Sequence, residues 1–194
     1  MSSLLKFIAD SQLEKQRLKS VWGGSLFESM DPLKADYSGK VGERLLACIC
    51  RSANIDHIYD DTDKNSTDGT YDIIILGKKV EVKTARIGVQ GAFQHENLHA
   101  TGCDFHIFID IKPNEFFISI IQKFVMTAKH PVFGRTPHLR HKTSDNYKFD
   151  FDEKKLLEAV KHGIALRVET ATSIEDIGTF IKLQIERESV TSSS

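Results

Sequence analysis

Three charged side chains, Asp72, Glu81 and Lys83, have the types and spacing needed to act together on a phosphate group. They belong to two strand-like runs, 72–76 and 79–83, which predict a β-hairpin. Because side chains alternate across a strand, all three fall on one face of that hairpin. Two carboxylates can hold Mg²⁺, which keeps several water molecules and can bind a phosphate oxygen. A lysine beside them can orient a water for attack on phosphorus and offset negative charge in the transition state.

The predicted turn of this hairpin is the pair Gly77 and Lys78, which places Asp72 opposite Lys83. A slip by an odd number of residues would scatter the charged groups onto opposite faces, so the register matters for the chemistry. The other face is apolar and is expected to pack in the core; it carries Ile73, Ile75, Val80 and Val82. An ordinary stabilising ion pair on an exposed strand face is the alternative interpretation of the charged residues.

A fourth acid, Glu43, lies in a helix predicted over 38–53, with Ser38 as its N-cap. Glu43 shares one helix face with the apolar residues Leu46 and Cys50. Burying a carboxylate in such a position is costly unless a cation or a hydrogen-bond donor lies nearby, which favours a place beside the hairpin. The alternative is that Glu43 lies in water at the edge of the apolar stripe.

The order of these residues resembles the PD-(D/E)xK nuclease superfamily and, within it, the type II restriction endonucleases. The motif consists of a helical glutamate, an aspartate that opens a strand and a Glu-x-Lys triplet on the next strand: Glu43, Asp72, Glu81, Val82 and Lys83. The resemblance implies that Asp72 and Glu81 coordinate Mg²⁺, for which Mn²⁺ can substitute. It also implies that Val82 lends its carbonyl to the metal, that Lys83 assists the attacking water and that Glu43 is an accessory acid.

Two departures from the superfamily pattern narrow this assignment. Tyr71 precedes the first acid, where the name of the motif has proline. The RecB-like branch carries a Gln-x-x-x-Tyr element after the lysine, whereas the segment from Gln90 to Gln94 matches only its first residue. The resemblance is therefore to the broader superfamily and not to the RecB-like branch.

A basic stretch over 129–148 is predicted to be an irregular loop that contacts DNA. Its cationic side chains can bind phosphates, and arginine can read base edges. Amide side chains can also read adenine, so the segment 90–100, predicted to be a short helix or a loop, adds two candidates. The predicted DNA contacts are Arg135, His138, Arg140, Lys142, Gln90 and Gln94. A solvated basic loop is the alternative.

Two other candidate sites are weaker. The acidic segment 61–72 has spacing similar to an EF-hand loop, but Ser66 replaces the usual glycine and Asp72 replaces the bidentate glutamate. A solvated acidic loop is therefore favoured over a calcium site. His106 lies within an apolar strand-like run, which favours a structural role over a catalytic one.

The length of 194 residues predicts one compact domain. A second strand pair is predicted at 105–111 and 116–121, so that helices flank two strand pairs along the chain. We expect an α/β (α+β) fold, with a mixed central β-sheet flanked by helices. The resemblance implies a restriction endonuclease-like αβββ core over about 38–111. The expected parts of a single nuclease domain over 1–194 are a catalytic core at 38–125, a basic DNA-contact loop at 129–148 and C-terminal helices at 150–188.

Composition excludes several classes of protein. The net charge of −1 means that binding to a polyanion must use a local basic patch. No apolar run approaches the ~18 residues that a membrane span needs. Three cysteines without CxxC spacing favour reduced thiols over a disulfide framework, and the first residues lack a secretory pattern. We therefore expect an intracellular, cytoplasmic protein with no membrane partner, and the resemblance to restriction endonucleases implies a prokaryotic one.

These expectations combine into a Mg²⁺-dependent endonuclease of the type II restriction class that acts on double-stranded DNA. The resemblance implies products with 5′-phosphate and 3′-hydroxyl ends. Cutting both strands requires two active sites, which predicts a homodimer or a partner subunit. Three alternatives remain open: the small strand-nicking subunit of a heterodimeric restriction enzyme, a repair or junction nuclease, and a non-catalytic DNA-binding module.

Overall fold

The computed structural model describes most of the chain. The described residues are 2–60, 71–88, 90–99, 101–122, 125–139 and 146–187. The helices are α1 (Ser2–Lys19), α2 (Ala35–Ser52), α3 (Glu153–Lys161) and α4 (Ile174–Glu186), with a 3₁₀ helix at Glu28–Met30. The strands are β1 (His57–Ile58), β2 (Ile73–Ile75), β3 (Lys78–Arg86), β4 (Ala92–Leu98), β5 (Phe105–Ile111), β6 (Phe116–Gln122), β7 (His138–Leu139), β8 (Tyr147–Asp152) and β9 (Ala165–Val168). Among these helices, none has the length and apolar character needed to cross a membrane.

The strands form two sheets. The larger sheet has six strands in the order β1-β2-β3-β5-β6-β9, and the smaller has three in the order β4-β8-β7. The larger sheet is mixed, because β3 and β5 are parallel while its other neighbours are antiparallel. The predicted mixed central sheet flanked by helices is confirmed, and so are the two predicted strands that became β5 and β6.

Each face of the larger sheet buries its own apolar cluster. Helices α2 and α4 cover one face, where branched aliphatic side chains of β2, β3, β5 and β6 meet the helices. The smaller sheet and α3 cover the other face, where the cluster is rich in phenylalanine. The strands β3 and β5 are therefore covered on both sides along much of their length, and the charged residues Glu81, Lys83 and Asp110 are partly or fully withdrawn from water.

Gly42 lets α2 lie directly against β3. A Cβ atom at this position would come within 1.8 Å of Thr84 Oγ1 and 3.1 Å of Thr84 Cβ, so rotation of the threonine would not relieve the clash. We expect Gly42→Ala to lower the free energy of unfolding by about 1–3 kcal/mol. A Cβ atom at Gly39 in the same helix would meet open space, so Gly39→Ala should raise the free energy of unfolding by up to about 1 kcal/mol. Urea unfolding of both variants checks this, and equal effects would contradict the packing of α2.

The start of α2 differs from the prediction. The helix begins at Ala35 with Lys34 as its N-cap, not at Ser38. The Ser38 hydroxyl donates a hydrogen bond to the Lys34 carbonyl at 3.2 Å instead. A serine inside a helix commonly satisfies its hydroxyl on the carbonyl four residues earlier, and this explains why its type alone did not mark the boundary.

The segment predicted as a short helix or loop at 90–100 contains the strand β4. Its side chains alternate between buried and exposed positions, and Phe93, His95 and Leu98 point into the phenylalanine-rich cluster. The strand pairs with β8 through a register shift between His95 and Leu98, where Asn97 has a φ of 58°. The polar type of His95 obscured the alternation in the sequence.

The C-terminal helices predicted within 150–188 are confirmed as α3 and α4, but the same region also contains two strands. The strand β8 continues to Asp152, whose side chain then caps α3 by accepting a hydrogen bond from Lys155 N at 3.0 Å. The strand β9 lies between the two helices and completes the larger sheet beside β6. Ser173 caps α4, because its hydroxyl accepts a hydrogen bond from Asp176 N.

Candidate active site

The hairpin of β2 and β3 turns at Leu76 and Gly77, one residue earlier than the predicted pair Gly77 and Lys78. Ile75 pairs with Lys78, and the two turn residues have φ values of 50° and 75°. Two-residue turns with positive φ at both positions suit the twist of a hairpin and favour glycine as the second residue. The predicted turn would have placed the glycine first and forced a positive φ on Lys78.

This shift changes which charged residues lie opposite each other. The paired register ends at Ile73 and Val80, and Asp72, just before β2, donates from its backbone N to Val80 O at 2.9 Å, so Asp72 does not lie opposite Lys83 as predicted. The alternation of side chains is unchanged, because opposed residues and residues two apart share a face. Glu81 and Lys83 therefore still share one face of β3, the Asp72 carboxylate reaches the backbone between them at Val82 N, and the apolar residues of the other face are buried.

Asp72 is held at the point where β2 begins. Its carboxylate Oδ2 accepts a hydrogen bond from Val82 N at 2.7 Å, in the middle of the Glu-Val-Lys triplet. Burial raises the pKa of Asp72 to about 6, against the opposing effect of that hydrogen bond, and the charges of Glu43 and Glu81 raise it further. A buried carboxylate beside two other acids is a place where a cation would be stabilised.

Glu81 is buried at 5% exposure and uses its two oxygens on two different neighbours. Lys83 Nζ lies 2.6 Å from Oε1, while His106 Nε2 lies 3.1 Å from Oε2. Burial acts to raise the pKa of Glu81, but the hydrogen bonds and charges of His106 and Lys83 outweigh it and lower the pKa below its ordinary value. Glu81 is thus held as a carboxylate that links the lysine to the histidine.

Glu43 is buried in α2, and it does not lie in water at the edge of the helix. Lys40 Nζ lies 2.8 Å from Glu43 Oε2, and the Tyr59 hydroxyl donates to the same oxygen at 3.5 Å. Its charge contributes to the raised pKa of Asp72. The structure therefore places this acid close enough to act on the site electrostatically, and its immediate partners are a lysine and a tyrosine.

The predicted DNA contacts are spread over two parts of the surface. Gln90 and Gln94 are exposed, and Gln94 lines a cavity of about 870 Å³ between the start of α2, the end of β3 and the start of β4. Arg135 and His138 are exposed on the segment that leads into β7 and on β7 itself. Arg140 and Lys142 lie outside the described residues, as does most of the acidic segment 61–72.

Two residues of the site were missed or assigned otherwise from the sequence. The sequence favoured a structural role for His106 and did not predict its contact with Glu81. The contact arises because β3 and β5 pair in parallel with these two residues in register. Cys103 lies with its Sγ 3.9 Å from Glu81 Oε2 and 3.6 Å from His106 Nε2. Burial raises the pKa of the Cys103 thiol to about 12, and the charge of Glu81 adds to this. No local pattern predicts these contacts, since they depend on strand pairing across more than twenty residues.

Comparison with known proteins adds little to this geometry. No protein-family model matches the chain, and no curated protein matches its sequence. Among solved structures, the chain is similar to a bacterial homing endonuclease, I-Ssp6803I, with 12% sequence identity and a TM-score of 0.38. The match covers 62% of this chain and 76% of that chain.

The raised pKa of Asp72 predicts that Asp72→Asn stabilises the metal-free protein. In the folded state Asp72 takes up a proton below about pH 6, whereas an ordinary aspartate does so near 3.8. The stability that this proton contributes is fully present at low pH and is lost as the pH rises through about 6. Asparagine keeps an oxygen for Val82 N without a charge, so at pH 8 its free energy of unfolding should exceed that of the wild type by up to about 3 kcal/mol.

Urea unfolding in EDTA at pH 4 and pH 8 measures this difference. The advantage of the variant should be largest at pH 8 and should nearly vanish at pH 4. A variant that is less stable than the wild type at pH 8 would contradict the assigned environment of Asp72.

Proposed function

We propose that this protein is a Mg²⁺-dependent DNA endonuclease of the type II restriction kind, which hydrolyses double-stranded DNA to 5′-phosphate and 3′-hydroxyl ends. One observation carries the proposal: Asp72, Glu81 and Lys83 converge at the base of one hairpin, where Asp72 contacts the backbone between the other two. The proposal includes cleavage at specific sequences and a location in a prokaryotic cytoplasm. Both are supported by the resemblance of the motif to that of restriction endonucleases.

The donor set fits a hard divalent cation. Asp72 and Glu81 supply carboxylate oxygens, which Mg²⁺ and Mn²⁺ prefer, and Val82 is the proposed source of a carbonyl ligand. When bound, the metal supplies positive charge at the phosphate and a water of lowered pKa. The raised pKa of Asp72 supports this assignment, because a nearby cation would relieve the cost of a buried charge.

The protein's own side chains have distinct roles in the proposed reaction. Lys83, fixed 2.6 Å from Glu81 Oε1, positions the attacking water and offsets the charge that builds on the phosphate oxygens. Glu43 tunes the site as an accessory acid, because its charge raises the pKa of Asp72. Buried walls on both faces of β3 limit the access of bulk water, which strengthens these electrostatic effects.

DNA binding is proposed for two groups of residues. The net charge of −1 leaves no general attraction for DNA, so local cations and amides must provide the contacts. The proposed contacts are Arg135, His138, Arg140, Lys142, Gln90 and Gln94. The exposed positions of Arg135, His138, Gln90 and Gln94 are compatible with this role.

A second copy of the chain or a partner subunit is also proposed, because one such site cuts one strand. Helix α1 supports this, since it exposes large apolar side chains that a partner could cover: Leu4, Leu5, Phe7, Ile8 and Leu13. Gel filtration with and without DNA distinguishes the possibilities. A stable dimer supports the homodimer, whereas a monomer that nicks one strand or is inactive alone supports the heterodimeric restriction enzyme.

The proposed function is tested by incubating plasmid and phage DNA with the protein and Mg²⁺, Mn²⁺ or EDTA. We expect discrete fragments with Mg²⁺ and Mn²⁺, 5′-phosphate ends, and no products in EDTA. Preference for branched over linear DNA would replace this proposal with a junction nuclease. The nuclease proposal would be replaced by a non-catalytic DNA-binding module if the protein bound DNA in EDTA but cleaved it with no divalent ion. This result would have to hold both for the protein alone and for the protein with a partner subunit.

A further inference from the structure

The side of Glu81 that faces away from Lys83 forms a cluster of three potential metal ligands. Glu81 Oε2, Cys103 Sγ and a ring nitrogen of His106 all lie within 4.8 Å of one another. Glu81 and His106 are buried, while Cys103 is only partly buried and lies at the mouth of the cluster. The set contains one oxygen, one sulfur and one nitrogen donor, which differs from the oxygen ligands that Mg²⁺ prefers.

The distances within this cluster match a tetrahedral ion. His106 Nε2 is 3.1 Å from Glu81 Oε2, and Cys103 Sγ is 3.6 Å from that nitrogen and 3.9 Å from that oxygen. A Zn²⁺ ion, with a Zn–S bond of about 2.3 Å and Zn–N and Zn–O bonds of about 2.0–2.1 Å, separates its tetrahedral ligand atoms by about 3.3–3.6 Å. Each ligand atom would need to move by less than about 0.5 Å to bind such an ion.

The backbone around the cluster is fixed independently of any metal. Asp104 N donates to Lys79 O at 2.8 Å, and Asp104 Oδ2 accepts from Lys79 N at 2.8 Å, which ties the residue after Cys103 to the edge of β3. Glu81 and His106 are paired in register on neighbouring parallel strands. The three ligands thus come from two strands and a segment anchored to one of them, so little ordering is needed on binding.

We propose that Glu81, Cys103 and His106 form a binding site for Zn²⁺ or a similar soft divalent ion, with a water as the fourth ligand. On binding, the Cys103 thiol gives its proton to solvent and the thiolate coordinates the metal. Because Glu81 also belongs to the proposed Mg²⁺ site, occupation by Zn²⁺ withdraws a ligand from that site. Inhibition of cleavage by Zn²⁺ follows from this sharing and rests on the proposed function, whereas the binding site itself does not.

Cobalt titration of the reduced full-length protein, without DNA, tests the binding site. Co²⁺ replaces Zn²⁺ in such sites, and we expect a thiolate-to-cobalt charge-transfer band together with the strong visible bands of a four-coordinate ion. Both should saturate at a stoichiometric amount of Co²⁺ and disappear when Zn²⁺ is added. Absence of the charge-transfer band in the wild type overturns the proposal.

Variants identify the ligands. Cys103→Ser is expected to lose the charge-transfer band. His106→Gln should weaken Co²⁺ binding by more than about 100-fold, because loss of a residue that only hydrogen-bonds to a metal ligand already weakens metal binding by about 10–100-fold. Cys48→Ser is the matched control, because Cys48 is an exposed cysteine of α2 outside the cluster. Circular dichroism verifies that each variant is folded. A band that persists in Cys103→Ser, or that vanishes in Cys48→Ser, overturns the assignment.

Two further measurements separate this proposal from the proposed function. Asp72→Asn should retain the cobalt bands, because Asp72 is not one of the three ligands; their loss would overturn the separate site. Zn²⁺ should inhibit Mg²⁺-dependent cleavage by the wild type but not by Cys103→Ser, and equal inhibition of both would overturn the regulatory part. Cobalt bands without any DNA cleavage would support the Zn²⁺ site and contradict the proposed endonuclease function. DNA cleavage without cobalt bands would support the endonuclease function and contradict the Zn²⁺ site.

Discussion

Glu81→Gln is expected to slow single-turnover DNA cleavage by about 10³-fold, because the change removes a proposed metal ligand and neutralises the partner of Lys83. Lys83→Met should slow it by about 10²–10⁴-fold, since it removes the cation that positions the water. Both residues lie on one strand and their side chains touch at 2.6 Å. The double variant should therefore be little slower than the worse single variant, because the two act as a unit.

The control for this pair is an exposed ion pair of the same chemistry. Lys161 Nζ lies 3.0 Å from Glu158 Oε1 on α3. Glu158→Gln and Lys161→Met remove the same charges as the active-site variants and should leave the cleavage rate unchanged. Quench experiments with excess protein give the rates. Cleavage by Glu81→Gln at the rate of Glu158→Gln would remove Glu81 from the site.

Asp110→Ala is expected to lower the free energy of unfolding by about 3–5 kcal/mol, the usual cost of removing one partner from a buried pair. Asp110 and His95 are fully buried between the two sheets, with Oδ1 2.9 Å from Nε2. His95 Nδ1 lies 3.1 Å from the Phe149 carbonyl, and its ring stacks on Phe151. Burial raises the pKa of Asp110, against the lowering effect of His95. Without Asp110, the inner nitrogen of His95 would face an apolar core.

Urea unfolding at pH 7 measures this loss, with Asp10→Ala as the control. Asp10 forms an exposed pair with Lys6 at 2.6 Å in α1, so its removal should cost at most about 0.5 kcal/mol. Replacing both His95 and Asp110 by leucine should recover much of the stability, because no polar group is then left unpaired. A loss below about 1 kcal/mol in Asp110→Ala would contradict the buried pair.

The sequence was most informative where the structure is local. The apolar runs of β5 and β6 pair through a short connection, and their periodicity was sufficient to predict them. The shared face of Glu81 and Lys83 follows from the alternation along β3, so it is unaffected by the displaced turn. The turn itself was misplaced because the position of Gly77 within the two-residue loop depends on φ, which the alternation of apolar residues does not determine.

The sequence was least informative where contacts cross the fold. His106 reaches Glu81 only because β5 pairs with β3 in parallel, and that pairing is set by the packing of both faces. Strand β4 was missed because the buried His95 has a polar type, and its polar partners, Asp110 and the Phe149 carbonyl, lie on other strands. The requirement for glycine at position 42 could not be predicted either, because it depends on Thr84 of β3, which leaves no room for a Cβ atom there.

The central claim is that Asp72 serves a metal-dependent hydrolytic site, and the most direct test is Mg²⁺-dependent cleavage by Asp72→Asn. Its hydrogen bond to Val82 N can be kept by the amide, and its raised pKa predicts a variant that is more stable than the wild type. Loss of activity could then not be attributed to loss of the fold. We expect Asp72→Asn to show no cleavage at any Mg²⁺ concentration while unfolding at a higher urea midpoint than the wild type. Cleavage at the wild-type rate would contradict it.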